Sequence, residues 1–271
     1  MLSDITLGQF YPKNSVVHRL DPRTKLSLCV GFIVLLFLVQ TFAGFAVAAF
    51  FVALTVGLAK LPLKLVLKSL KPLAFIVCFT AFFNIFYTPV SETNPAVWEW
   101  WIFRITAGGL RAAAFMSVRI LLLVAGTSLL TYTTSPILLT DGLERLLKPL
   151  KWLHLPVHEL AMMMTIALRF IPTLIEETEK IMNAQKARGA DFESGSVLAR
   201  AKALIPILVP LFISSFRRAE DLATAMECRC YHGGEGRTRM TQTRLAWRDA
   251  GAFGLWALCL GAVILFNIHG I

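Results

Sequence analysis

Apolar residues in this chain come in long, almost unbroken runs rather than in the period-two alternation of half-buried strands. No charged residue occurs from Leu26 to Ala59, a stretch bracketed by Lys25 and Lys60. A membrane-spanning helix takes about 20 apolar residues, so this run predicts two spans, 26–42 and 43–59, with a tight turn near Gln40 to Gly44. Four lysines then fall between Lys60 and Lys71, with Pro62 and Pro72 close by, before a Phe-rich run predicts a third span over 73–90. The segment from Ser91 to Arg104 carries Trp98, Trp100 and Trp101, a residue type that gathers at membrane interfaces, and reads as a loop. A fourth span is expected over 105–134 and a last one over 250–271.

Between these last two runs the pattern changes to an amphipathic one. Leu160 to Lys186 reads as one long helix, with apolar residues at Leu160, Met164, Ala167, Leu168, Ile171, Leu174 and Ile175 at helical spacing. Pro172 is expected to kink it. Its second half turns polar at Glu176, Glu177, Glu179 and Lys180, and Arg188-Gly189 supplies a basic last turn followed by a left-handed cap. Val197 to Met226 repeats the plan: an apolar start with Pro206 and Pro210, a charged end at Arg217, Arg218, Glu220 and Asp221, and a close near Arg229. Each apolar half has to lie on the membrane domain or on the other helix. The expected organisation is an all-α polytopic membrane protein of about five spans: a four-span domain over 1–134, a cytoplasmic or interfacial helical segment over 135–249, and a final span over 250–271.

Composition supports burial in lipid: 56% of residues are hydrophobic and 16% charged, against about 45–50% and 25% in soluble domains. The net charge of +10 fits retention of Lys and Arg on the cytoplasmic side better than nucleic-acid binding, because acidic residues are interspersed among the basic ones. Lys13, Arg19, Arg23 and Lys25 precede the first span, which puts the N-terminus inside. The lysine-rich loop and the segment 135–249, with 16 of the 27 basic residues, then also fall inside, and the C-terminus outside. Arg111 and Arg119 lie within the fourth run, where a charge normally pairs with a carboxylate in a helix bundle or snorkels to an interface. The five cysteines have no disulfide-framework spacing and read as free thiols.

The chain offers no catalytic machinery. It lacks a phosphate-binding loop; Gly233 to Thr238 has neither the lysine nor the preceding strand. Cys228, Cys230 and His232 match no zinc spacing, and His154 with His158 reads as a pair on a helix surface, so neither metal nor cofactor is expected. A secondary transporter would need membrane-embedded carboxylates or inverted repeats, and none of the five expected spans contains an acidic residue.

Several separate motifs resemble one family. Ile5-Thr6-Leu7-Gly8-Gln9-Phe10-Tyr11 and His18-Arg19-Leu20-Asp21-Pro22-Arg23-Thr24-Lys25 open the chain. Ala167-Leu168-Arg169-Phe170-Ile171-Pro172 and Ala184-Gln185-Lys186-Ala187-Arg188-Gly189-Ala190 follow, then Arg217-Arg218-Ala219-Glu220 and Ala225-Met226-Glu227-Cys228-Arg229-Cys230-Tyr231. Taken in this order, they resemble the transmembrane T component of energy-coupling factor transporters over nearly the whole chain. Cys230 is a departure, standing where a glycine is common.

The resemblance implies a non-catalytic subunit of a bacterial cell-membrane importer for vitamins or other micronutrients. It would join two cytoplasmic ABC-type ATPases to a small membrane-embedded S component that binds the substrate. The two long helices would be coupling helices, each presenting an X-Arg-X motif to one ATPase: Ala187-Arg188-Gly189 and Cys228-Arg229-Cys230. Met162, Met163 and Met164 would offer an adaptable surface to several interchangeable S components, since Met is flexible and polarisable. A T component dedicated to cobalt, nickel or biotin is the nearest alternative.

Overall fold

The computed structural model describes residues 10–87, 96–100, 103–153, 155–192, 196–233 and 245–269. The chain forms two compact units, one of residues 8–143 with 243–271 and the other built from 144–242.

In the first unit, α1 (Pro22–Leu38) and α2 (Phe42–Ala59) form from the first apolar run, with the turn at Val39–Thr41 rather than Gln40–Gly44. The turn falls early because Thr41 caps α2, its hydroxyl accepting the Gly44 N–H at 3.2 Å. A short α3 (Leu63–Leu70) passes through a 3₁₀ turn at Lys71–Leu73 into α4 (Ala74–Tyr87). That tightening sits at Pro72, which has no N–H to give an α-helical ladder. The Trp-rich segment is not only loop. Ala96–Trp100 (β1) pairs antiparallel with Phe103–Thr106 (β2), Trp100 opposite Phe103. The strand-favouring Val97, Trp98, Phe103, Ile105 and Thr106 account for this hairpin, the one departure from an all-helical fold among the described residues. Trp101 lies outside them. Thr106 then caps α5 (Ala107–Thr133), and α6 (Pro136–Leu147) follows, its residues from Glu144 onward belonging to the second unit. The unit ends with α9 (Trp247–His269).

Its core joins Phe32, Leu35 and Leu36 of α1 to Phe45, Ala48, Val52 and Val56 of α2, Leu129 and Tyr132 of α5, and Cys259 and Val263 of α9. Gly109 lets α5 approach α4 closely: a Cβ there would stand 2.8 Å from the Asn84 carbonyl oxygen. Of the two arrangements expected for it, Arg119 does not take carboxylate pairing: it finds no carboxylate among the described residues. Its guanidinium donates to the Val39 carbonyl at 3.0 Å, at the electronegative end of α1, and lies over the rings of Phe37, Phe45 and Phe115. Arg111 lies over Phe42.

Polar groups organise the opposite end of this unit. The Asp21 carboxylate accepts the Arg23 N–H, capping α1, and Pro22 takes the first helical position. The buried Asp249 carboxylate accepts the backbone N–H groups of Asp21 at 2.9 Å and Ala246 at 2.7 Å. Lys25 Nζ donates to the carbonyls of His18 (3.0 Å) and Thr133 (2.9 Å). His18 donates from Nε2 to the Tyr11 carbonyl, leaving Nδ1 as acceptor for the Ser15 hydroxyl. Burial holds the His18 imidazole below its usual pKa, and the charge of Lys25 pushes the same way.

The second unit is dominated by α7 (Val157–Ala187) and α8 (Val197–Cys228), which pack on each other. Both run unbroken through their internal prolines, Pro172 in α7 and Pro206 and Pro210 in α8. Among the described residues, five helical stretches are long and apolar enough to cross a membrane: Phe42–Ala59, Leu63–Phe86, Ala107–Thr133, Val157–Ala187 and Trp247–His269. The number equals that expected from the sequence, but the membership differs. The apolar half of α7 brings that helix in, whereas α1 has only 17 residues.

Candidate functional site

The two arginine-centred helix ends have the same backbone geometry. At the end of α7, Arg188 is the C-cap and Gly189 follows at φ +87°. The Gly189 N–H bonds the Lys186 carbonyl at 3.0 Å, and the Ala190 N–H reaches back to the Gln185 carbonyl at 3.0 Å. This pair of bonds is the Schellman motif, which satisfies carbonyls the helix can no longer serve. At the end of α8, Cys230 bonds Glu227 at 2.8 Å and Tyr231 bonds Met226 at 3.0 Å. Arg229 thus occupies the position of Arg188, and Cys230 that of Gly189. Cys230 accepts the left-handed conformation, φ +54°, although it carries a Cβ. The missing glycine leaves the shape of the helix end unchanged.

Both arginines are exposed, and neither side chain has a hydrogen-bond or ion-pair partner among the described residues. Each projects where the helix dipole is negative, an arrangement that favours the cation and leaves its donors available. Ala187, Gly189, Cys228 and Cys230 are exposed with them, so both triplets are open to a partner.

Upstream of these ends the two helices are tied together by an ion pair between Glu177 of α7 and Arg218 of α8. Sequence reading places both residues on polar faces but does not pair them; periodicity alone cannot show which charges meet across two helices. Before this tie each helix exposes an apolar face. On α8 it comprises Leu204, Ile205, Leu208, Val209, Phe212, Ile213 and Phe216, recurring every three or four residues. On α7 Leu160, Met163 and Met164 are exposed and Met162 is half-buried. The methionine triplet is therefore accessible at two of its three positions. Exposed apolar area of this extent is unusual on a surface that faces water.

The remaining candidate chemistry disperses. His158 Nδ1 lies 3.0 Å from the Glu144 carboxylate, and His154 is outside the described residues. Cys228, Cys230 and His232 are exposed. No group of three or more His, Cys, Asp or Glu residues able to hold a metal occurs among the described residues. Beyond Gly233 the glycine-containing run lies outside the described residues.

Residues 13–240 match the family CbiQ, cobalt transport protein. The chain is 51% identical over 267 residues to a protein of Ruminiclostridium cellulolyticum named energy-coupling factor transporter transmembrane protein EcfT, covering 98% of both chains. A protein of the same name from Acidaminococcus fermentans is 51% identical over 271 residues, covering 100% of this chain and 99% of the relative. Another from Bacillus subtilis is 47% identical over 269 residues, covering 99% and 100%.

Proposed function

The chain belongs to the family of energy-coupling factor transporter transmembrane proteins, and from that premise we propose that it mechanically links two cytoplasmic ATPases to a membrane-embedded substrate-binding subunit. It hydrolyses no ATP itself. The observation that carries this reading is the repeated helix end: two long helices of one unit, each closing in the same motif with an exposed arginine at the C-cap.

Arginine suits a contact that has to bear force. Its guanidinium keeps its charge and offers five donors in a rigid fork, enough to hold carboxylate or carbonyl acceptors in a groove of an ATPase. With Arg188 in one ATPase and Arg229 in the other, nucleotide-driven closure of the pair moves the two helix ends. The Glu177–Arg218 tie lies between those ends and the apolar halves, so movement at one end is passed along packed helices to the other. The exposed apolar face of α8 and the methionines of α7 then meet the substrate-binding subunit or lipid. The basic segments before α1 and between α2 and α4 favour a cytoplasmic N-terminus. Substrate choice, a vitamin or another micronutrient, resides in the partner.

The test is a pull-down of tagged chain from bacterial membranes, wild type beside the Arg188→Glu, Arg229→Glu double variant. Two ATPases and a small membrane protein should accompany the wild type, and the ATPases should be lost from the variant. Wild-type chain that purifies alone and transports without ATP would overturn the reading. Recovery of one substrate-binding partner under every growth condition would favour a dedicated cobalt, nickel or biotin system over a shared one.

A further inference from the structure

Within the unit formed by α1, α2, α5 and α9 is a cavity of about 370 Å³ that the coupling role leaves unused. Its walls are almost wholly apolar, including Leu28, Phe32, Phe51, Leu54, Leu130 and Leu255. Among the described residues, the charged ones in the lining are two cations, Lys25 and Arg248. Both stand at helix starts, of α1 and α9 respectively, and the same end of the cavity is bounded by Leu58 and Thr133, at the ends of α2 and α5. From Lys25 down to Phe32 the trough follows α1 for about 10 Å. Its rim at Val16, Leu58, Arg248 and Leu255 is exposed.

We propose that this trough holds one acyl chain of an anionic phospholipid from the leaflet on the side of the α1 N-terminus, with the headgroup phosphate on Arg248. Charge complementarity selects the occupant. Arg248 is exposed and has no partner among the described residues, since its neighbour Asp249 is committed to two backbone N–H groups. Lys25 is buried, uses two of its three donors on carbonyls and has its charge offset by the nearby carboxylates of Asp249 and Asp21, which leaves Arg248 as the cation that meets the phosphate. The exposed Trp247 beside Arg248 is of the type that sits at headgroup depth. A polar micronutrient would leave the apolar walls without a counterpart. An acyl chain under a phosphate matches both walls and rim.

Full-length protein in detergent is titrated with phosphatidylglycerol or with phosphatidylcholine of the same chains, and bound lipid is counted by native mass spectrometry. The first phosphatidylglycerol should bind about fivefold more tightly than phosphatidylcholine, the preference expected of one cation near an anionic headgroup. Arg248→Glu should abolish that preference, and Arg248→Lys should keep it. Gly251→Leu should remove the first tight lipid altogether, because Gly251 lines the cavity and a Cβ there meets nothing within 4 Å, leaving room for the side chain to fill it. Equal binding of the two lipids to wild type would overturn the proposal. So would an unchanged preference in either Arg248→Glu or Gly251→Leu.

Discussion

At φ +54° Cys230 holds a backbone conformation that the matching end of α7 gives to Gly189. Left-handed geometry destabilises a residue with a Cβ by about 1–2 kcal/mol. Replacing Cys230 by glycine removes that term but frees the unfolded chain, which offsets about 0.5–1 kcal/mol. The net expectation is a gain of about 0.5–1 kcal/mol at the end of α8. This end can open locally without the rest of the protein, so the gain belongs in the exchange of particular amides. Those are the N–H of residue 230, bonded to Glu227, and of Tyr231, bonded to Met226. Hydrogen exchange read by mass spectrometry on the peptide spanning 226–233 should slow by about two- to fivefold in Cys230→Gly. The mirror experiment is Gly189→Ala, where a Cβ meets nothing within 4 Å and only the backbone term acts. Exchange at Gly189 and Ala190 should there quicken by a similar factor. Unchanged or faster exchange in Cys230→Gly, or slower exchange in Gly189→Ala, would refute the equivalence of the two helix ends.

Three further outcomes follow from the membrane unit. Arg119→Leu removes a charged hydrogen bond to the Val39 carbonyl and contact with three aromatic faces, and should destabilise by about 2–3 kcal/mol, seen as a lower Tm in detergent. Gly109→Ala drives a methyl against the Asn84 carbonyl, a backbone atom that cannot rotate away, and should lower stability by about 1–3 kcal/mol on thermal unfolding. His18 has a folded-state pKa below 6.5, so between those two values the unfolded chain binds more protons. Its contribution is thus present above 6.5 and is lost as pH falls towards the folded value. The Tm of wild type should drop more from pH 7 to pH 5 than that of His18→Gln.

How much of this was legible in the sequence depended on how local each determinant is. The apolar runs place α2, α4, α5 and α9 because lipid demands continuous apolar length. Arg188-Gly189 announces its own cap, since the left-handed residue is a glycine. Cys230 gives no such sign: its conformation follows from the bonds it closes, which only the folded helix end displays. The strands at Ala96–Trp100 and Phe103–Thr106 had a local signal in their aromatic and β-branched residues, but the tryptophans also suited an interface loop. Partners of Arg119, Asp249 and Glu177 lie 80, 228 and 41 positions away, where neither periodicity nor charge pattern reaches.

The link between Asp249 and the Asp21 amide has a consequence for biogenesis. Ribosomes release α1 long before residue 249 exists, yet the Asp21 N–H at the start of α1 is satisfied only by a side chain of α9. A helix made early is therefore sealed late, because a contact of such wide sequence separation forms late. Nascent chains halted before α9 should leave the segment ahead of Pro22 open to protease, and Asp249→Ala should leave full-length chains in the same immature state.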